Sequence, residues 1–321
     1  MGVHVARYER DGTTEWGVVC PQGLHPIDGS YPTLADFLRG GRQLAMEMGD
    51  QSSEGLHALD SVKFLGPVTA PCTIVCQGLN YGDHRAEAGI DTDKPPYNLM
   101  FVKASSALSG PTDNVIRPKG VQLLDYELEL GVVIGTNITG PVQVTRENLT
   151  DYVAGIVISN DVSARDVQIP QQQWFKGKSF RTFCPTGPYL YLLDKHDADL
   201  LDRIDIRLEV NGKVRQESNT SHLIFKPAET LTELSGLMDL HPGDLVQTGT
   251  PGGVAAKAPP AAVQRIARFL LGEPKLMQVF VKKQLQNPNY LNDGDVMRLT
   301  MQTSDGAIDL GVMETRVVAE S

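Results

Sequence analysis

Three acidic residues, a histidine with a glutamate beside it, and a lysine set between glycine and an apolar run are the side chains here whose types and spacing could do chemistry. In Asp125-Tyr126-Glu127-Leu128-Glu129-Leu130, period-two alternation puts Glu127 and Glu129 on one face of a strand and Tyr126, Leu128 and Leu130 on the other. Two carboxylates then stand about 7 Å apart at Cα and can converge on one ion. Like charges this close need neutralising, and a divalent cation does that; by the pattern alone, a solvated strand face is the commoner cause of Glu-x-Glu. Asp161 ends the apolar run GIVISND. With the glutamate pair it would offer three oxygen donors, a set suited to Mg2+ or Mn2+ and compatible with Ca2+. The alternative is a cap on the turn that follows.

In Asn80-Tyr81-Gly82-Asp83-His84-Arg85-Ala86-Glu87 the spacing predicts a helix start with His84 and Glu87 on one face. A carboxylate beside an imidazole favours the basic, oriented form that takes a proton from water; without a metal site nearby such a pair is more often structural. Lys178, in Phe175-Lys176-Gly177-Lys178-Ser179-Phe180, suits either stabilisation of an oxyanion or enolate, or a plain surface loop. Gln247-Thr248-Gly249-Thr250-Pro251-Gly252-Gly253-Val254 is a glycine-rich turn after a strand and lacks the Lys-Ser/Thr ending of a phosphate-binding loop. Thr250 is either a substrate contact or part of an ordinary loop.

The elements that must position these residues are mostly strands. LDYELELGVVIG, YVAGIVISND, IDIRLEV, DLVQTGT and VMRLTMQT are rich in residues that suit a pleated, half-buried surface. Asn211-Gly212 predicts a type I′ hairpin, and Ser304-Asp305-Gly306-Ala307 a second hairpin. Residues 1–67 read as a small N-terminal α+β domain, with HVARYE, WGVVC and a short helix in PTLADFLRGG, and residues 68–321 as the catalytic domain. Residues 258–286 break the β pattern with helix-spaced Val263, Ile266, Phe269 and Leu270, and predict two short helices around Gly272-Glu273-Pro274.

A net charge of -10 without a Lys/Arg-rich run argues against nucleic-acid and anionic-membrane partners. No apolar run approaches the roughly 20 residues of a membrane span, and charged residues interrupt the N-terminus, so a cytoplasmic location is expected. Cys20, Cys72, Cys76 and Cys184 form no metal-binding spacing and read as free thiols.

Taken in order, N-Y-x-D-H-x-x-E, D-Y-E-x-E-L, N-D-V-S-A-R-D, G-K-S-F, P-x-G-P, V-N-G-K and Q-T-G-T-P-x-G-V resemble the fumarylacetoacetate hydrolase superfamily, acylpyruvase-like branch. The match runs from about residue 67 to 254 and resumes at LNDGDVMRL. The resemblance implies a mixed β-roll catalytic domain, a homodimer and a Mg2+, Mn2+ or Ca2+ ion held by Glu127, Glu129 and Asp161. It implies that His84 and Glu87 activate water, that Lys178 steadies negative charge, and that Gln168, Thr250 and Tyr81 contact a small 2-oxo acid. The expected activity is hydrolysis of a C–C bond in an acylpyruvate or related 2,4-dioxo acid. The alternatives are oxaloacetate-type decarboxylation, keto–enol isomerisation or hydration through the same enolate, and a non-catalytic, metal-stabilised binding protein.

Overall fold

The computed structural model describes residues 1–49, 55–171, 173–257, 279 and 281–321. Two apolar segments form its centre. Leu128–Ile134 and Val153–Asn160 are buried along their whole length and pair antiparallel, with Glu129 opposite Ser159. Strands that are apolar on both faces have nowhere to go but the middle of a layered core. The large sheet spreads from this pair. On one side Val153–Asn160 pairs with Cys184–Leu192, then come Val3–Arg10, Thr13–Cys20 and Gly23–Pro26. On the other side Leu128–Ile134 pairs with Leu245–Gln247, which runs parallel to Ile74–Gly78, and Leu99–Lys103 closes the edge.

The N-terminal strands expected in a small domain of their own thus join the sheet that carries the acidic residues, through Val3–Arg10 against Cys184–Leu192. The short helix expected near Pro32 is present as Leu34–Gly40, with Thr33 and Asp36 forming a reciprocal cap at its start. Its Phe37 stacks on Trp16 at 4.2 Å between ring centroids, tying the helix to the sheet.

A second sheet has the order Lys213–Asn219, Ile204–Val210, Val296–Thr303, Asp309–Ala319 and Val115–Arg117. Here burial alternates, as in Val296–Thr303, so one face meets the first sheet and the other meets solvent. Both predicted hairpins form: Asn211 and Gly212 have φ of 50° and 74°, the type I′ signature, and Gly306 has φ of 71°. The architecture is the expected sheet-dominated one with a few short helices. Most of the helical segment expected at 258–286 lies outside the described residues; within it, 281–284 are helical, and Val281 packs against Leu123, Ala255 and Tyr290. Among the described residues no helix is long and apolar enough to cross a membrane. Cys72, Cys76 and Cys184 are free thiols.

Candidate active site

The carboxylates come together at the upper end of the two central strands. Glu127 lies just before Leu128–Ile134, Glu129 within it, and Asp161 directly after Val153–Asn160. The antiparallel register sets these positions side by side, and the Asp161 amide donates to the Glu127 carbonyl at 2.8 Å. Oxygens of Glu127, Glu129 and Asp161 all lie within 4.8 Å of one another, and all three residues are buried.

Buried carboxylates require cations or donors. Lys178, at the end of the short helix Trp174–Lys178, bridges Glu127 at 2.7 Å and Asp161 at 2.6 Å. Lys103 donates to Asp161 and, at 2.7 Å, to the Phe183 carbonyl. Arg165 bonds Asp125 at 2.8 Å, while its Nη2 lies 2.6 Å from Glu127 in an ion pair without hydrogen-bond alignment. Burial opposes ionisation of Glu127, but Lys178 and Arg165 outweigh it and hold the carboxyl below its ordinary range. Burial likewise favours a neutral Lys178, yet Asp161 and Glu127 raise it, so the lysine is an ammonium.

Glu129 differs from its neighbours. Among the described residues its one hydrogen bond comes from the Gly249 amide at 2.7 Å, and no ion pair reaches it. Gly249 has φ of 89°, a backbone that favours glycine, and this turn aims the amide at the carboxylate. Burial, then Asp161 and Glu127, push the Glu129 carboxyl well above its usual range. Asp125, Glu127, Glu129 and Asp161 are four carboxyl groups against the three cations Lys103, Arg165 and Lys178, so Glu129 is the one no cation balances, and burial beside Asp161 and Glu127 favours its protonated form. An all-oxygen donor set with one carboxyl that a bound cation would deprotonate fits a hard divalent cation. The residues expected as ligands are the ones that fit.

A cavity of about 240 Å3 opens onto this cluster. Glu127, Arg165, Gln168, Lys178 and Thr250 supply its polar wall. Gln168 accepts from Arg165 at 2.9 Å, and Thr250 donates to the Leu128 carbonyl at 2.9 Å and accepts from Gln216 at 2.7 Å. Leu79, Ile90, Phe101, Ile169 and Trp174 make the opposite wall apolar. Phe101 and Trp174 meet edge to face at 5.1 Å. This contact depends on Gly78, since a Cβ there would lie 2.5 Å from Trp174. Gly78→Ala is therefore expected to displace the indole, to cost about 1–3 kcal/mol in stability and to weaken ligand binding in this cavity. Chemical denaturation and Trp fluorescence titration check it.

His84 lines the cavity from the helix Gly82–Glu87. Burial lowers its imidazole to about 4, Glu127 pulling the other way and Arg165 and Lys178 reinforcing the shift. The ring is neutral at pH 7. Its Nδ1 is buried without a hydrogen-bond partner. The expected partner, Glu87, instead accepts from the Gly253 amide at 2.9 Å and lies 3.7 Å from Lys257. Tyr81 does not line the cavity: it is fully buried in the main core, its hydroxyl without a hydrogen-bond partner. Sequence reasoning assigned no role to Lys103, Arg165 or Trp174. Arg165 stood inside the N-D-V-S-A-R-D run and could have been read from it. Lys103 ends an ordinary apolar strand, and only the fold brings it to Asp161.

The class these features define is a mixed-sheet fold around a buried acidic cluster that could hold a cation. The fumarylacetoacetate hydrolase C-terminal model matches residues 73–318, and the chain belongs to that family. A mitochondrial oxaloacetate tautomerase of Bos taurus is 38% identical over 252 residues, covering 75% of this chain and 77% of the relative. The solved fumarylacetoacetate hydrolase of Exiguobacterium antarcticum aligns with a TM-score of 0.74 at 29% identity, covering 99% of this chain and all of that one. The 5-carboxymethyl-2-hydroxymuconate delta-isomerase of Mycobacterium smegmatis aligns at 0.69 and 25% identity over the full length of both.

Proposed function

We propose that this protein is an enolising enzyme that interconverts the keto and enol forms of a small 2-oxo acid of the oxaloacetate type. The observation that carries the reading is the state of His84: a neutral imidazole whose Nδ1 stands without a partner at the cavity, while Glu87 is taken up by the Gly253 amide. Moving a proton between C3 and the 2-oxo oxygen needs one neutral base of suitable reach, and charge stabilisation at that oxygen. Water attack on a carbonyl would draw further on a carboxylate that orients and strengthens the base. A divalent cation held by Glu127, Glu129 and Asp161 would supply Lewis-acid polarisation of the 2-oxo acid. Lys178, held as an ammonium beside that site, favours the enolate over the ketone, and this difference lowers the barrier. The apolar wall of Leu79, Ile90 and Trp174 limits competing water. The names of the bovine tautomerase and the mycobacterial isomerase support the same class of chemistry.

Hydrolysis of an acylpyruvate is the second reading, favoured by the same neutral His84 and by the Exiguobacterium relative. The two are separated by following enol absorbance of oxaloacetate and of acetylpyruvate with Mg2+ or Mn2+, with product analysis. The proposal expects faster loss of enol oxaloacetate, abolished by chelator, with no carbon–carbon cleavage. Pyruvate plus acetate from acetylpyruvate, with enol oxaloacetate decaying at its uncatalysed rate, overturns it.

The proposal carries a pH dependence. His84 is neutral above about 4, so kcat/KM should hold as pH drops from 7 to about 5 and fall through about 4. Its unfolded value is 6.5, so the unfolded chain binds that proton first and stability declines as pH falls from 6.5 toward 4. A pH profile of kcat/KM beside a series of thermal melts checks both. An activity loss centred near 6.5 would show that His84 is not held neutral.

A further inference from the structure

The mechanism leaves a buried polar side chain of the cavity lining unused. Gln77 sits in the strand Ile74–Gly78, is 2% exposed and lines the cavity. Its Nε2 donates to Asn98 Oδ1 at 3.1 Å, and Asn98 Nδ2 donates to Thr230 Oγ1 at 3.1 Å. This chain of buried amides anchors Gln77 to the helix Pro227–Ser235 and orients it. Gln77 Oε1 is then buried without a partner. A buried carbonyl oxygen left without a donor carries a desolvation penalty that a ligand hydroxyl would remove.

Among the described residues no group donates to that oxygen. Its strand neighbour Cys76 points to the other face and gives its thiol to Gln247 at 3.1 Å, as period-two alternation requires. Gly78 has no side chain, and Leu79, Phe101 and Trp174 are apolar or turned to one another. Arg165 also lines the cavity, and its Nη2 is a buried donor without an aligned acceptor. The residues lining the cavity therefore include both an acceptor and a donor without an aligned partner.

From this we infer that Gln77 is a specificity-determining residue, its amide oxygen accepting a hydrogen bond from a hydroxyl of the bound 2-oxo acid. The inference rests on the reading of this cavity as a 2-oxo acid site. It selects a hydroxyl over a carboxylate at that place, because two acceptors repel where a donor and an acceptor bond. The hydroxyl has two sources, the enol form of the acid itself or a hydroxyalkyl substituent.

The test is a set of dissociation constants by calorimetry in Mg2+, in a His84→Ala background that prevents turnover. One pair of ligands is 4-hydroxy-2-oxobutanoate and 2-oxobutanoate. The other is acetylpyruvate, which enolises, and its 3,3-dimethyl derivative, which cannot. Each pair is measured with Gln77, with Gln77→Leu and with Gln77→Met, and the preference is read as a ratio between backgrounds, so that steric differences within a pair cancel. One pair should show a preference of about tenfold for the hydroxyl-bearing ligand that drops to about twofold or less in both variants. The pair that responds identifies the source. Preferences that do not depend on Gln77 in either pair overturn the inference alone, as do variants that bind the hydroxyl ligand more tightly. Absence of binding by all four ligands overturns the 2-oxo acid reading and this inference with it.

Discussion

His84→Ala is expected to lower the rate of 2-oxo acid enolisation by about 100- to 10,000-fold while leaving the fold and the affinity for Mn2+ unchanged. The imidazole is half-buried, neutral and free at Nδ1, so its removal takes away the proton carrier without unpairing another group. His84→Gln should behave like the alanine variant, because an amide fills the space but does not accept a proton at neutral pH. Steady-state kinetics beside Mn2+ titration checks the pair. A rate within about threefold of the parent, a span far below what a general base contributes, would remove His84 from the mechanism.

The second large effect separates carboxylates that look alike in sequence. Asp161 is shared by Lys103 and Lys178, both buried, so Asp161→Ala leaves Lys103 with only the Phe183 carbonyl. Stripping one partner from a buried ionic cluster costs about 3–5 kcal/mol, enough to unfold a marginally stable chain. Glu129→Gln should act in the opposite sense on the metal-free protein. It replaces the one carboxyl of the cluster that no cation balances and that favours a proton without metal, while an amide oxygen can still take the Gly249 amide. Without metal this variant is expected to melt no lower than the parent. The parent should gain stability from millimolar Mn2+, because a ligand that binds only the folded state stabilises it, and Glu129→Gln should lose most of that gain. Thermal melts with chelator and with Mn2+ decide it. Equal destabilisation by both substitutions, or a full Mn2+ response in Glu129→Gln, would show that the cluster is a structural ion network.

Much of this cluster was legible before any coordinates. Alternation put Glu127 and Glu129 on one face, and the apolar stretch from Val153 to Ile158 ahead of Asp161 placed it at the end of a central strand, because a segment apolar on both faces has no solvent side. The hairpins at Asn211-Gly212 and Asp305-Gly306 followed from turn chemistry alone. Short range is also where legibility stopped. His84 and Glu87 are neighbours on a helix, yet Glu87 is claimed by Gly253, 166 residues away, which no local pattern announces. Lys103 lies 58 residues from Asp161, at the edge strand of the sheet, and its role exists only once that strand is in place. Tyr81 precedes a helix, and its extended backbone turns the side chain into the core rather than the cavity. The orphaned oxygen of Gln77 needed a complete hydrogen-bond inventory to be seen.

The most direct test of the enolisation account is proton exchange at C3. Oxaloacetate in D2O with the protein and Mg2+, followed by NMR against the rate with metal alone, should lose its C3 protons faster in the presence of protein, with no matching rise in cleavage products. The acceleration should vanish in His84→Ala and on chelation. Exchange no faster than the metal background, or exchange that keeps pace with pyruvate formation, would contradict the account and place the carbon–carbon bond, rather than the C3 proton, at the centre of this protein's chemistry.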